Sequence, residues 1–173
     1  STTSMLIWAF KQLGVPVSYS VGSTLTFGES GHYDPDSRYF VYECDEYDRN
    51  FLYYHPHLSL ITSMDYDHPD TYPTAESYIQ AFAQFIKQSE AALMWQRDGS
   101  LLDADNVTLY DDADVLPLKL PGLHTRQNAT LVAHALEKLG IPGNRTEALE
   151  SFPGADRRFE KLLPNLYTDY GHH

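Results

Sequence analysis

Acidic and imidazole side chains gather after two apolar runs of the sequence. The first run, RYFVYEC at residues 38–44, contains Glu43, and the second, LSLITS at residues 58–63, is followed closely by His68. The acidic residues around them are Asp45, Glu46, Asp48, Asp65, Asp67 and Asp70. Both runs are typical of buried β-strands, and ligands of an open parallel sheet bind beyond the carboxyl ends of its strands.

If the two strands are neighbours, Glu43 and His68 face one cleft. A carboxylate oxygen and an imidazole nitrogen are suitable ligands for Mg²⁺ or Mn²⁺. The alternative is a pair of acidic, solvated loops in which His68 bonds only to its neighbours. The spacing alone leaves both interpretations open.

Hydroxyl side chains open the chain, at Ser1, Thr2 and Thr3. They precede an apolar stretch whose pattern predicts a helix over residues 2–13, closed by Gly14. Hydroxyls in a first helical turn cap the helix, and the exposed N–H groups there attract anions. An ordinary helix cap is the simpler interpretation.

The elements that must position these residues alternate along the chain. Strands are predicted at residues 17–22, 38–44, 58–63, 92–96 and 107–110, and further helices at 74–88, 125–140 and 145–152. This alternation predicts an α/β domain with a mainly parallel sheet flanked by helices. A chain of 173 residues is long enough for one such domain.

Composition excludes some functions. The formal net charge of −12 argues against nucleic acid as a partner, because nucleic-acid binding needs a surplus of lysine and arginine. It allows phosphate ligands if a divalent metal bridges the protein and the anion. No apolar run is long enough to cross a membrane, and the single cysteine, Cys44, is consistent with a reducing cytoplasm.

Six motifs, taken in order, resemble those of the central ATP-binding domain of the Mur ligases. Two of them carry the acidic clusters: YECDEYDRNFL resembles the family's Glu-Ala-Asp-Glu motif with cysteine for alanine, and YDHPDTY resembles Asp-His-x-Asp-Thr-Tyr. The other four are STTS after the phosphate-loop lysine, LPGLHTRQNA, FPGADRRFE and TDYGHH. The resemblance spans almost the whole chain and is strongest to the alanine-adding branch, which DHPDTY fits best.

The resemblance implies a P-loop NTPase-like fold and an ATP-dependent ligase of peptidoglycan precursor synthesis. Such an enzyme joins an amino acid, here L-alanine, to UDP-N-acetylmuramate. The carboxylate first takes the γ-phosphoryl group of ATP, and the amine then displaces phosphate from the acyl phosphate. Catalysis of this kind depends on positioning and on charge neutralisation, with Mg²⁺ or Mn²⁺ as the implied metal.

The resemblance also implies roles for individual residues. Glu43 and His68 would be the catalytic metal ligands, and Ser1 would be a further metal ligand beside Thr2 in the phosphate loop. The residues implied for nucleotide binding are Ser1, Thr2, His124, Asn128, Arg157, Arg158 and Asp169. Thr125 stands where the family usually has an asparagine. The chain therefore departs from the family motif at a position implied to lie near the nucleotide base.

The resemblance predicts two segments. Residues 1–165 would be the central ATP-binding domain without the Gly-Lys start of its phosphate loop, and residues 166–173 would begin the junction to a C-terminal domain. We expect this chain to be an excised part of a longer ligase, inactive alone. Flanking domains would then bind most of UDP-N-acetylmuramate and the amino acid.

Three other functions remain open at this stage. A recycling ligase would attach a preformed murein peptide to UDP-N-acetylmuramate with the same motifs. A metal-dependent phosphohydrolase would use the Glu43 and His68 clusters without an amine acceptor. A non-catalytic relative would keep the fold as a binding or assembly module.

Overall fold

The computed structural model describes residues 2–154, 160–163 and 166–168, the last two segments as backbone only. The chain divides into two compact units. Unit 1 comprises residues 1–43 and 117–173, and unit 2 comprises residues 44–116.

The described residues of unit 1 form a small sheet and three helices. Its helices are α1 (Thr2–Gln12), α4 (Leu123–Lys138) and α5 (Arg145–Glu150), and its strands are β1 (Ser18–Ser20), β2 (Gly31–His32), β3 (Phe40–Tyr42), β7 (Glu160–Leu163) and β8 (Leu166–Thr168). The strand order is β2-β1-β3, with β1 antiparallel to β2 and parallel to β3. The strands β7 and β8 form a separate antiparallel pair.

Helix α1 organises unit 1 because it packs against α4, α5 and β3. It ends close to Gly14, whose φ of 67° is the left-handed conformation expected after a helix. The indole Nε1 of Trp8 donates to the carbonyl of Ala148 at 3.1 Å, which ties α1 to α5. The predicted helices at 2–13, 125–140 and 145–152 are therefore all present, with small differences at their ends.

Unit 2 contains a parallel sheet. Its elements are a 3₁₀ segment (Tyr47–Tyr53), β4 (Leu58–Ile61), α2 (Ala75–Gln88), β5 (Ala91–Trp95), α3 (Gln96–Gly99), β6 (Val107–Tyr110) and a second 3₁₀ turn (Asp112–Asp114). The order is β4-β5-β6, and both pairings are parallel. The expected α/β class with a mainly parallel sheet is confirmed.

Helix α2 covers this sheet with one apolar face. Thr74 caps it by accepting the N–H of Ser77 at 3.2 Å, while the Ser77 hydroxyl accepts the N–H of Thr74. The buried cluster around the helix consists of Phe51, Ile61, Met64, Tyr72, Tyr78, Ala81, Phe82, Phe85, Ile86, Ala92 and Met94. The predicted helix at 74–88 is thus confirmed.

Two expectations about the strand at residues 38–44 are wrong. The strand spans only Phe40–Tyr42, at the edge of its three-stranded sheet, and Phe40 is 65% exposed rather than buried on both faces. An edge strand with alternating exposure explains the difference, because an apolar run by itself does not distinguish edge from centre. Within the described strands, β3 pairs with β1 and β4 pairs with β5, so β3 and β4 do not pair with each other.

The buried strand β5 offers a test of the unit 2 core. Trp95 is 2% exposed, so Trp95→Ala leaves a large cavity and should lower the free energy of unfolding by about 3–5 kcal/mol. Tyr53→Ala is the control, because Tyr53 is 82% exposed and its loss should change the free energy by less than about 0.5 kcal/mol. Urea titration monitored by circular dichroism measures both. Equal stabilities of the two variants would contradict this packing.

Candidate functional site

The carboxylate of Glu43 is fixed at the carboxyl end of β3. Its backbone N–H donates to the carbonyl of Ser20 at 3.0 Å, which extends the pairing with β1. Its side-chain Oε2 accepts the N–H of Gly22 at 2.6 Å. One carboxylate oxygen is therefore held by the neighbouring strand end, while Oε1 is the atom that can take a ligand.

The first turn of α1 also belongs to unit 1. Thr2 begins the helix and is half-buried, and no acidic side chain occupies the first turn. Backbone N–H groups at such a helix start favour an anion. Ser1, predicted as a metal ligand, lies outside the described residues.

His68 lies in unit 2, in the segment that follows β4. Its Nε2 lies 3.7 Å from Oε1 of Glu46 and 3.8 Å from Oδ2 of Asp67. Its backbone N–H donates to Oδ1 of Asp67 at 2.7 Å. The ring of Tyr47 meets the imidazole edge to face, with centroids 5.0 Å apart. The imidazole thus lies against an aromatic ring and close to two carboxylates, both beyond hydrogen-bond distance.

The backbone of this region is strained at three non-glycine residues. His68 has a φ of 56°, and Asp48 and Arg49 have φ values of 52° and 58°. Left-handed backbone costs on the order of 1–3 kcal/mol for each such residue, and it persists where surrounding contacts determine the conformation. Strain of this kind clusters at functional sites, so it supports a functional interpretation of the segment.

Two tyrosines anchor the segment that carries Glu46. The Tyr72 hydroxyl donates to the carbonyl of Glu46, and the Tyr78 hydroxyl donates to Oε1 of Glu46 at 3.3 Å. Burial raises the pKa of Tyr72 to about 12, and burial together with the charge of Glu46 raises the pKa of Tyr78. Both hydroxyls therefore stay protonated at neutral pH and remain donors.

Cys44 stands where the resembling motif has alanine. Burial, followed by the charges of Asp45 and Glu46, raises the pKa of its thiol to about 11. A thiol that stays protonated is a poor nucleophile and a poor metal ligand. Cys44 therefore acts as a small packing residue at this position.

Asp98 is a buried acid that the sequence pattern did not single out. It lies in α3, directly after β5, and its Oδ2 has no hydrogen-bond partner among the described residues. Burial raises its pKa, although Arg97, whose Nε lies 3.6 Å from Oδ2, opposes that shift. The only sequence signal that points to Asp98 is its position, as an acidic residue shortly after a buried strand.

The residues predicted for nucleotide binding fall into two groups. His124 and Asn128 lie four residues apart on α4 and so share one face of the helix; His124 is exposed and Asn128 is half-buried. Gly122, with a φ of 78°, precedes the helix. The remaining predicted residues, Arg157, Arg158 and Asp169, lie outside the described residues.

Each unit, taken by itself, offers a side chain whose donor atoms suit a divalent cation. Across the described residues, no group of three or more His, Cys, Asp and Glu side chains forms a metal-binding cluster. Mg²⁺ needs no such cluster, because it is usually held by one or two carboxylates together with substrate phosphates. In unit 1, the Oε1 atom of Glu43 is a carboxylate oxygen of this type. In unit 2, the imidazole of His68 is a less usual ligand for Mg²⁺ and suits Mn²⁺ better. Separately, none of the described helices has the length and apolar character needed to cross a membrane.

Comparison with known sequences gives consistent matches. No protein-family profile matches the chain. A UDP-N-acetylmuramate–L-alanine ligase of Streptococcus equi subsp. zooepidemicus is 32% identical over 209 aligned residues, covering all of this chain and 46% of the relative. A ligase of the same name from Lactobacillus acidophilus is 33% identical, with the same coverage. The chain therefore spans about half the length of the curated relatives it matches.

Solved structures agree with the sequence matches. The crystal structure of UDP-N-acetylmuramate-alanine ligase from Thermotoga maritima has a TM-score of 0.82 and 25% identity, over 99% of this chain and 48% of that one. A UDP-N-acetylmuramate:L-alanyl-gamma-D-glutamyl-meso-diaminopimelate ligase from Neisseria has a TM-score of 0.73 at 21% identity, over 90% of this chain and 63% of that one, and so shares the fold alone.

The buried carboxyl of Asp98 predicts a pH dependence. Its pKa in the folded chain is raised above the ordinary value of 3.8, so folding favours the protonated form. Its contribution to the free energy of unfolding is present below pH 3.8 and is lost as the pH rises through the folded-state pKa. Asp98→Asn should therefore flatten the decline in stability above pH 3.8, as measured by urea titration at a series of pH values.

Asp105→Asn is the matched control, because Asp105 is an exposed carboxyl of the same unit. It should leave the decline unchanged. The same pH dependence in wild type and Asp98→Asn would contradict the burial of this acid.

Proposed function

The chain is a Mur ligase homologue with the fold of that family's central domain, and on this premise we propose that it is the ATP-binding part of an enzyme that joins L-alanine to UDP-N-acetylmuramate. The observation that carries the proposal is similarity over the entire chain to UDP-N-acetylmuramate–L-alanine ligases, at 32% identity. The fixed carboxylate of Glu43 within unit 1 also supports the proposal.

The proposed reaction has two steps. A carboxylate oxygen of UDP-N-acetylmuramate attacks the γ-phosphorus of ATP, and the bond from that phosphorus to the β–γ bridging oxygen breaks to release ADP. The amine of L-alanine then attacks the acyl carbon, and phosphate leaves with the oxygen that attacked first. The amine loses its extra proton to solvent or a base. Positioning and charge neutralisation are what the protein must supply.

We assign the metal-binding roles by residue. Glu43 and His68 would each hold a divalent cation, with Ser1 as a hydroxyl ligand beside Thr2 at the phosphate end of α1. Mg²⁺, or Mn²⁺ in its place, would neutralise charge on the transferring phosphoryl group when bound. The hydrogen bond from Gly22 to Oε2 of Glu43 supports this role, because it fixes the carboxylate before any ligand arrives.

The residues proposed to bind the nucleotide are those in the motifs that resemble Mur ligase motifs. His124 and Asn128 would lie near the base, Arg157 or Arg158 near the phosphates, and Asp169 near the ribose. The shared face of His124 and Asn128 on α4 supports the first pair.

The proposal extends to the whole protein. Residues 1–165 would form the ATP-binding domain and residues 166–173 the start of a junction to a further domain. Flanking domains would supply most of the contacts to UDP-N-acetylmuramate and L-alanine. We place the reaction in the cytoplasm, which the single cysteine fits.

A direct test uses the full-length protein that contains this chain. It should release ADP and phosphate from ATP only when UDP-N-acetylmuramate and L-alanine are both present. His68→Ala and Glu43→Ala should each lower kcat by on the order of 100-fold or more, because each removes a group that stabilises transferring charge. A coupled ADP-release assay at varied Mg²⁺ measures both effects.

His57→Ala is the matched control, since His57 is a largely exposed histidine of unit 2 paired with Glu90. It should retain wild-type turnover. Phosphate release without an amine acceptor as the only activity would indicate the phosphohydrolase instead. A preference for a preformed peptide over L-alanine would indicate the recycling ligase.

A further inference from the structure

Gly22 and Glu43 approach each other more closely than a side chain on Gly22 would allow. The Gly22 N–H donates to Oε2 of Glu43 at 2.6 Å. A Cβ atom on Gly22 would lie only 3.3 Å from the same oxygen, so one of the two groups would have to shift. Gly22 does not have left-handed backbone, and its φ therefore does not require glycine. The missing side chain instead permits the contact with the carboxylate.

The N–H donor is held by the loop that carries it, residues 22–29. Val21, just before the loop, is buried, and its N–H donates to the carbonyl of Ser30 at 2.8 Å, which closes the base of the loop. Further along the loop, the ring of Phe27 packs edge to face on Trp8 of α1, with centroids 5.1 Å apart. Contacts that involve no ligand therefore fix the position of the donor.

The acceptor is held from its own side as well. The backbone N–H of Glu43 donates to the carbonyl of Ser20 at 3.0 Å, which fixes the start of the side chain beside β1. Hydrogen bonds to an ionised carboxylate are short and stronger than those between neutral groups. Oε2 therefore has one lone pair occupied and less electron density to offer a cation. Chelation of a cation by both oxygens of Glu43 competes with the bond to Gly22.

Divalent cations differ in how much they lose when one carboxylate oxygen is engaged. Mg²⁺ requires near-ideal octahedral geometry at about 2.0–2.1 Å, which the narrow bite of a chelating carboxylate fits poorly. Ca²⁺ takes roughly six to eight oxygen ligands at about 2.3–2.6 Å and accepts both oxygens of one carboxylate. Engagement of Oε2 therefore removes a ligand that Ca²⁺ would use and leaves the single oxygen that Mg²⁺ or Mn²⁺ needs.

We propose that Gly22 is a positioning residue that sets the metal preference of Glu43. Its N–H engages Oε2, so that Oε1 alone is presented to a cation, and Mg²⁺ or Mn²⁺ is favoured over Ca²⁺. The inference rests on the proposed function in one respect, because it takes Glu43 to be a ligand of the cation. The contact between Gly22 and Glu43 itself lies within unit 1.

The first test measures metal preference in the full-length protein with a non-hydrolysable ATP analogue. Electron paramagnetic resonance follows bound Mn²⁺, and its displacement by Mg²⁺ and by Ca²⁺ gives the ratio of their affinities. Gly22→Ala should shift this ratio toward Ca²⁺ by about 10-fold, because the new Cβ moves Oε2 away from the N–H group. Gly31→Ala is the matched control, since a Cβ there would lie 3.9 Å from its nearest neighbour, the carbonyl oxygen of Tyr19. It should leave the ratio unchanged.

The second test reads the coordination mode of Glu43 by infrared difference spectroscopy. The separation between the symmetric and asymmetric carboxylate stretches differs between binding through one oxygen and binding through two. The Glu43 bands are assigned by their loss in Glu43→Gln. The wild type should bind both Mg²⁺ and Ca²⁺ through one oxygen, whereas Gly22→Ala should bind Ca²⁺ through two.

The outcomes separate the two claims. A full-length protein with the expected metal preference but without ligase activity contradicts the proposed function alone. Unchanged Mn²⁺ binding in Glu43→Gln contradicts the metal role of Glu43 and overturns the inference with it. Weaker Mn²⁺ binding in Glu43→Gln, together with a wild-type affinity ratio in Gly22→Ala, overturns only the inference. Binding of Ca²⁺ through two oxygens in the wild type also overturns it, and this measurement decides if Gly22→Ala does not fold.

Discussion

Parallel strand pairing is the constraint on which the candidate site depends. Because β4 and β5 run in the same direction, the chain leaves both at one edge of the unit 2 sheet. The segment with His68 follows the first of these strands and α3 with Asp98 follows the second. Unit 1 has the same arrangement, since β1 and β3 are also parallel. Gly22 follows β1 and Glu43 follows β3, and the Gly22 N–H donates to the Glu43 carboxylate. In both units, polar groups collect at the edge where strands end.

The core of unit 2 maintains a local conformation that the chain alone would not favour. His68, Asp48 and Arg49 all have left-handed backbone, which costs free energy at residues other than glycine. Tyr72 offsets part of that cost, because its hydroxyl holds the Glu46 carbonyl and its ring lies beneath the Arg49 guanidinium, 5.2 Å from the ring centroid. The buried aromatic residues of unit 2 therefore stabilise the strained polar segment that packs on them.

The sequence predicted the regular elements well because their signals are local. The apolar spacing that predicts α2 depends on residues a few positions apart, and the helix is confirmed. Exposure of Phe40 could not be read from RYFVYEC, because it depends on which strands flank β3. Asp98 was missed, and Glu46 was named only as one acidic residue of its cluster, for a similar reason. Their significance comes from contacts with distant segments and from burial, neither of which a pattern of residue types contains.

The central claim is that phosphate leaves carrying an oxygen from the acid being activated. The direct measurement is mass spectrometry of the phosphate released by the full-length protein from UDP-N-acetylmuramate labelled with ¹⁸O in its carboxylate, with ATP and L-alanine present. With both carboxylate oxygens labelled, ligation through an acyl phosphate puts one ¹⁸O atom in each phosphate released, because the carboxylate oxygen attacks phosphorus and stays with it. Unlabelled phosphate would mean that water attacked instead, and would contradict ligation through an acyl phosphate.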